Sequence, residues 1–345
     1  MTLTQFSNII PTELSSDLNK IIELINNSNS VLIASHLRPD GDAIGSVSGL
    51  SKSLLKAGKK VEVALLDGVP ERMAFVFPEV KLYQGQNELD SDHDLIIIID
   101  TGDETRTGIT YNYDRSKTTL INIDHHASNN GYGDVNLVDT KASSACEMVV
   151  GIIVSAGLPL DKDVALSLML GLITDSRSFQ NEGIRHTAHL AAAHLLSTGV
   201  DNSPILNMLN SGRSETDLRV QGFGLSNFKL ECNNALATLV IRNEDLQKMN
   251  AQISNIFASG IFNILTSMKP TLASVVIFER DDGMAFCEFR SRGGIDVKEV
   301  AVSMGGGGHV PASGCSRMAP VSEVAAEAIE KMKDQVNQTL QRLNV

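Results

Sequence analysis

"DLIIIID", residues 94–100, decides how the first half of the chain folds. Five apolar residues in succession, four of them β-branched, leave no polar face for solvent, so a strand made from them is covered on both sides. Strands of that kind belong to α/β folds with a doubly wound, mainly parallel sheet. Neighbouring segments agree. "VLIASH" (31–36), "VEVALLD" (61–67), "TTLINID" (118–124) and "DVNLVD" (134–139) read as further strands. Helical spacing runs through "LSSDLNKIIELINNS" (14–28), capped at Ser15 or Ser16, and through "GDAIGSVSGLSKSLLKAGK" (41–59), closed by Gly58. Two later helices, "DKDVALSLMLGLITDS" and "RHTAHLAAAHLLSTG", complete a first domain over 1–195. Connecting helices are expected over 196–230. A smaller α/β domain over 231–345 follows, with strands "ALATLVI", "TLASVVIFER" and "MAFCEFRS" and a closing amphipathic helix from about Ser322.

In open α/β sheets, ligands gather beyond the carboxyl ends of the strands. Here "VLIASH" ends at His36, "LIIIID" at Asp100, and "LINIDHH" at Asp124, His125 and His126. Asp40 and Asp42 follow His36 in "HLRPDGDAIGS", and Asp175 lies in "GLITDSRSF". Taken singly, each has a plain reading: Asp40 and Asp42 as turn or helix-cap residues, Asp175 as a helix cap, His186, His189 and His194 as surface or packing residues, His93 as a solvated residue. As a set, His36, Asp40, Asp42, Asp100, His125 and Asp175 combine imidazole nitrogen with carboxylate oxygen and no sulfur, which suits Mn²⁺ and, less strongly, Mg²⁺, Co²⁺ or Fe²⁺. Six ligands exceed what one open catalytic ion needs. Two divalent ions about 3.5 to 4 Å apart, activating a bridging hydroxide for phosphoester hydrolysis, fit the set better.

A second constellation is "MGGGGHVPASG" (304–314), preceded by Arg290 and Arg292 in "EFRSRGG". The glycines, Gly307 and Gly308 among them, let main-chain N–H groups approach an anion; His309 adds a donor, and the arginines suit bidentate phosphate contacts. No Gly-Lys-Ser/Thr follows and no G-x-G-x-x-G opens a helix, so Walker-type and dinucleotide sites lose their support.

The net charge of −12 offers no basic track for a long nucleic acid strand, so duplex binding is not expected. No apolar run reaches the roughly 18 to 20 residues of a membrane span, and "MTLTQFSNII" has no signal-peptide pattern, so a cytoplasmic protein without a membrane partner is expected. Cys146, Cys232, Cys287 and Cys315 lack C-x-x-C spacing and read as reduced thiols.

"HLRPDGDAIGS", "LIIIIDTGD", "IDHHASN", "GLITDSRSF" and "GGGGHVPASG" together resemble the DHH phosphoesterase family, in its order and over nearly the full chain. The last motif is similar to the branch of nano-RNases (oligoribonucleases) and 3′-phosphoadenosine 5′-phosphate phosphatases, in which a DHH-associated domain faces the DHH domain across a cleft. The resemblance implies that His36, Asp40 and Asp100 hold one ion and that Asp42, Asp100, His125 and Asp175 hold the other, with Asp100 bridging. It further implies that His126 faces the scissile phosphate with Asp124 orienting the site, and that Arg290, Gly307, Gly308 and His309 recognise substrate, with Arg292 added beside them. The expected reaction releases mononucleotides from very short oligonucleotides and phosphate from 3′-phosphoadenosine 5′-phosphate. A cyclic-dinucleotide (c-di-AMP or pApA) phosphodiesterase is the rival within hydrolases, and a catalytically silent nucleotide sensor the rival outside them. Oligomeric state is left open, a homodimer included.

Overall fold

The computed structural model describes residues 9–181, 183–210, 212–292 and 294–342; the part of the N-terminal leader reading that falls on residues 1–8 lies outside the described residues. The chain divides into two compact units, Met1–Leu209 and Asn210–Val345.

The first unit contains helices α1 (Ser15–Asn27), α2 (Gly41–Lys56), α3 (Ala145–Ala156), α4 (Lys162–Asp175), α5 (His186–Ser197) and α6 (Ser203–Asn210). Its strands are β1 (Ser30–Ala34), β2 (Lys60–Ala64), β3 (Lys81–Tyr83), β4 (Glu88–Asp90), β5 (Leu95–Ile99), β6 (Thr110–Asn112), β7 (Thr119–Asp124) and β8 (Val135–Val138). Six of them form a wholly parallel sheet in the order β3-β2-β1-β5-β7-β8, and β4 pairs with β6 separately.

The isoleucine run behaves as its pattern requires. Leu95, Ile97 and Ile99 enter one core with residues of α1 to α5, while Ile96 and Ile98 enter a second core on the opposite face. Each fully buried side chain of this size stabilises the fold by about 1.5–3 kcal/mol. That second face is closed by Leu89, Ile109 and Tyr111 around the β4–β6 pair, and the helices gather on the first.

Strand order places the chemistry. From β1 the sheet grows through β2 and β3 on one side and through β5, β7 and β8 on the other, so the order reverses between β1 and β5. The register Ala34–Ile98 and Ile99–Ile123 brings the ends of β1, β5 and β7 level at that switch point, where open α/β sheets bind ligands.

Three local expectations are corrected. Helix α1 is not capped by Ser15 or Ser16: Leu14 is its N-cap, and Ser15 Oγ instead donates to Thr12 O at 2.6 Å, closing a preceding 3₁₀ turn. His93 is buried rather than solvated, with Nε2 3.3 Å from Glu62 Oε2. Helix α3 was not anticipated, because "ACEMVVGIIVSA" is buried from Ala145 through Ile153 and lacks the polar face that marks a helical period.

The second unit contains α7 (Glu215–Asn227), α8 (Asn243–Lys248), α9 (Ile253–Ser259), α10 (Ile261–Ser267), α11 (Val297–Ser303) and α12 (Val321–Arg342). Its strands are β9 (Lys229–Glu231), β10 (Leu236–Ile241), β11 (Ala273–Glu279), β12 (Met284–Ser291), β13 (Gly307–His309) and β14 (Ala312–Met318). They form one sheet, β13-β14-β12-β11-β10-β9, parallel only between β10 and β11. Residues expected to connect the units are shared out, with Ile205 of α6 in the first core and Val220 of α7 in a core of the second. Among the described residues no helix is long and apolar enough to cross a membrane.

Candidate metal centre

The centre is assembled by the ends of β1, β5 and β7 and by two helices that cross closely. Gly41, Gly45 and Gly49 recur every four residues on α2, and a Cβ at any of them would strike α4: the Thr174 side chain, the backbone of Ser167 and Gly171, and the Leu168 side chain, respectively. For Gly45 the distances would be 2.7 Å to Ser167 O and 2.8 Å to Gly171 N. This packing brings Asp42, in the first turn of α2, toward Asp175, the last residue of α4.

Asp100 lies at the middle. It has a left-handed φ of 59°, uncommon for a side-chain-bearing residue, and it is 3 % exposed. Its Oδ2 is 3.5 Å from His36 Nε2 and its Oδ1 is 3.4 Å from His125 Nε2. Both imidazoles are oriented from behind, His36 Nδ1 lying 2.8 Å from Leu37 O and His125 Nδ1 3.2 Å from Ala142 O. A proton on Nδ1 in each ring turns the Nε2 lone pair inward, the arrangement metal-binding histidines use.

The other carboxylates surround this axis. Asp40 Oδ1 is 4.0 Å from His36 Nε2 and also caps α2 by accepting from the N–H of Asp42 and Ala43, so the plain capping reading of Asp40 holds alongside the site reading. Asp175 Oδ2 and Asp42 Oδ2 lie 3.5 and 3.8 Å from His125 Nε2. Asp42 is buried against the start of α3, where it accepts from Ala145 N at 2.6 Å and Cys146 N at 2.9 Å.

Two sets, His36–Asp40–Asp100 and Asp42–His125–Asp175, each have ligand-type atoms within 4.8 Å of one another, as does Asp100–His125–His126. The donors fit a divalent cation. Asp100 Oδ1 is buried with no hydrogen-bond partner, and four carboxylates converge on two imidazoles, which leaves negative charge to be offset.

Without metal, protons take that role. Burial alone would lower the His125 imidazole, but the 3.4 Å contact with Asp100 and the charges of Asp42, Asp100 and Asp175 hold it up at about 10. His36, pulled down by burial and raised by Asp100, stands at about 9. Burial and the neighbouring Asp100 and Asp175 push Asp42 well above the usual carboxylate range, and burial lifts Asp175 to about 6. Asp100 resists burial through its histidine partners and is held at about 2.

His126 is differently engaged. Its Nδ1 donates to Asp124 Oδ1 at 2.7 Å, and Asp124 is fully buried and also accepts from His125 N at 2.8 Å and Asn129 Nδ2 at 2.6 Å. Asn129 also donates to Asn122 Oδ1 at 2.8 Å. Asn122 and Asn129 were not singled out from sequence; the polar position inside the apolar strand "TLINID" was the available signal.

In the second unit, the glycine run forms an edge strand. Cβ atoms at Gly306 and Gly308 would collide with Gly314, Cys315, Ala312 and Ser313, whereas Gly307 has open space. Ala312 pairs with both Arg290 and His309, so this register sets the Arg290 and His309 side chains on one face, two strands apart. Arg290 Nη1 donates to Glu288 Oε2 at 3.0 Å, while the Arg292 guanidinium donates to the carbonyls of Thr271 and Met268.

Residues 30–172 match the DHH family, N-terminal domain, and residues 235–342 match the DHHA1 domain. The chain joins a DHH-family domain to a DHHA1 domain. Among similar DHH proteins is the bifunctional oligoribonuclease and PAP phosphatase NrnA of Thermus thermophilus, 27 % identical over 287 residues, 83 % of each chain. The protein of the same name from Bacillus subtilis is 28 % identical over 303 residues, 86 % of this chain and 92 % of that one. The crystal structure of an exopolyphosphatase-related protein from Bacteroides fragilis superposes with a TM-score of 0.81 at 24 % identity, covering 94 % of this chain and 98 % of that one, and so shares the fold.

Proposed function

We propose that this DHH protein is a metal-dependent phosphoesterase that hydrolyses very short oligoribonucleotides to mononucleotides and 3′-phosphoadenosine 5′-phosphate to AMP and phosphate. The observation that carries the reading is Asp100, whose two oxygens face His36 and His125 while one of them has no hydrogen-bond partner. The activity in the names of the NrnA relatives supports the choice of substrates.

In this reading His36, Asp40 and Asp100 would hold one ion and Asp42, Asp100, His125 and Asp175 would hold the second, with Asp100 shared between the two sets. Two divalent ions, Mn²⁺ first among the candidates, supply Lewis acidity to the phosphoryl group and acidify water at neutral pH. The chain's own residues do the rest. Asp124 fixes His126 through Nδ1, leaving Nε2 to hydrogen-bond a phosphoryl oxygen or to pass a proton to the leaving oxygen. Arg290, His309 and the backbone of Gly307 and Gly308, all in the second unit, are the groups assigned to substrate recognition. Arg292, committed to two carbonyls, steadies the chain before the glycine run.

The test is product analysis with purified Mn²⁺-loaded protein given a 5′-labelled dinucleotide, a long oligonucleotide, 3′-phosphoadenosine 5′-phosphate and cyclic di-AMP. Rapid cleavage of the dinucleotide and phosphate release from 3′-phosphoadenosine 5′-phosphate, with the long strand slow, is expected. Preference for cyclic di-AMP would replace this reading with a cyclic-dinucleotide phosphodiesterase, and binding without turnover would replace it with a sensor.

A further inference from the structure

Beside the candidate centre lies a cavity of about 450 Å³ that takes His125 and Asp175 into its wall. Its remaining polar lining includes Lys141, Ser143, Asn181 and Arg185, and among the described residues it has no carboxylate other than Asp175. The two cations differ in how they are held. Arg185 Nη2 donates to Asp139 and lies 3.7 Å from Glu147 Oε1, so the guanidinium is fixed in place, yet its Nε is buried with no hydrogen-bond partner. Lys141 is exposed; its backbone N–H is tied to Asp139 Oδ1 at 3.0 Å, and its ammonium has no ion-pair partner among the described residues.

A cavity of about 260 Å³ on the Asp40 side is different in kind, with one guanidinium, Arg72, among Met73, Met208 and Leu209. Of these two, only the first pairs two cations; beside them the Ser143 hydroxyl donates to Glu147 Oε2 at 2.8 Å and the Asn181 amide to Asp175 O at 2.7 Å, so the cations are what it offers an anion. A fixed guanidinium next to an exposed ammonium with no ion-pair partner among the described residues suits a phosphate that must be oriented on one side and neutralised on the other.

We propose that the cavity at Lys141 and Arg185 is a subsite for a second phosphate of the substrate, the one flanking the phosphate that is cleaved. This rests on the phosphoesterase reading and deepens it. A phosphorylated dinucleotide and 3′-phosphoadenosine 5′-phosphate both carry a second phosphate on the nucleoside next to the reacting one, so one subsite beside the metal ligands serves both substrates.

The experiment compares adenylyl-adenosine with its 5′-phosphorylated and 3′-phosphorylated forms, in wild type, Lys141→Arg and Lys141→Glu. Turnover is followed by product analysis, and binding by calorimetry in a His126→Ala background. Wild type is expected to favour the 5′-phosphorylated compound by about tenfold, expressed in KM, because its 5′-phosphate stands to the scissile phosphate as the 5′-phosphate of 3′-phosphoadenosine 5′-phosphate stands to the 3′-phosphate; preference for the 3′-phosphorylated compound would overturn the shared subsite. Lys141→Glu should abolish the preference and Lys141→Arg restore it. An equal preference in wild type and Lys141→Glu, or none in wild type, would overturn the subsite. Absence of turnover with a charge-dependent preference in binding would keep the subsite and remove the hydrolytic reading.

Discussion

A Cβ added to Gly171 would lie 2.6 Å from Asp42 Oδ1 and would also collide with Cys146 Sγ. Gly171 is therefore the floor on which the Asp42 carboxylate rests, and the closeness of α2 to α4 is part of the site. Gly171→Ala should destabilise the protein by about 1–3 kcal/mol, the usual cost of overpacking, and weaken divalent-ion binding by about tenfold or more as Asp42 is pushed aside. Chemical denaturation and metal titration measure the two effects. An alanine variant with wild-type metal affinity would show that another feature sets Asp42.

Asp100→Asn separates charge from backbone geometry. Asparagine tolerates the left-handed conformation that Asp100 adopts at φ 59°, so the variant should fold normally by circular dichroism. It removes one negative charge from between His36 and His125, and bound metal should fall below two ions per chain. Turnover should drop by at least about a thousandfold, since two-metal charge stabilisation contributes several kcal/mol. Two tightly bound ions in this variant would refute the bridging role.

Much of this was legible before the structure because strand ends and strand cores carry different chemistry. The run at 95–99 is apolar on both parities, and that pattern alone implied two covered faces. His36, Asp100 and His125 then fell at the carboxyl edge because each follows such a strand. What was hidden depends on contacts distant in sequence. The role of Gly45 and Gly171 needs α2 and α4 in register, and Asp42 is gripped by the N-terminus of a helix, α3, whose uniform burial erased its own signal. Arg292 illustrates the opposite limit: beside Arg290 in sequence it reads as a second phosphate contact, and only the folded chain reveals its Nε and Nη2 donating to the carbonyls of Thr271 and Met268.

The metal-free centre makes stability depend on pH in a direction the ions should cancel. His36 and His125 bind protons more tightly when folded, at about 9 and about 10, than the value of about 6.5 for a free imidazole. Their contribution is thus fully present below about pH 6.5 and is lost as pH rises through 9 to 10. Asp100, held at about 2, contributes in the opposite sense, and its share is lost only as pH falls below the ordinary carboxylate range. Metal-free protein should therefore lose stability between neutral pH and pH 10, whereas metal-loaded protein should not. Metal binding should release protons near neutral pH and tighten as pH rises. Calorimetric titration in buffers of different ionisation enthalpy reads the proton release, and zero release at neutral pH would contradict the assignment of His36 and His125 as ligands.

His126 and Asp124 should act on the rate and not on the metals. With Nδ1 bound to Asp124 at 2.7 Å, the ring presents Nε2 away from its anchor, and His126→Ala should lower kcat by about 10²- to 10⁴-fold, the range of a positioned acid or base, while metal content stays at the wild-type level. Asp124→Asn should follow the same direction and add a change in the pH–rate profile, because an amide can donate to Nδ1 and so favour the opposite tautomer. Asp124 also accepts from His125 N and Asn129 Nδ2, so its replacement disturbs the turn that carries both histidines, and some loss of stability should accompany it. Single-turnover kinetics with metal analysis on the same samples decides the matter. Parallel loss of metal and rate in His126→Ala would make His126 a ligand, which its Nδ1, 3.6 Å from Asp100 Oδ1, is near enough to be.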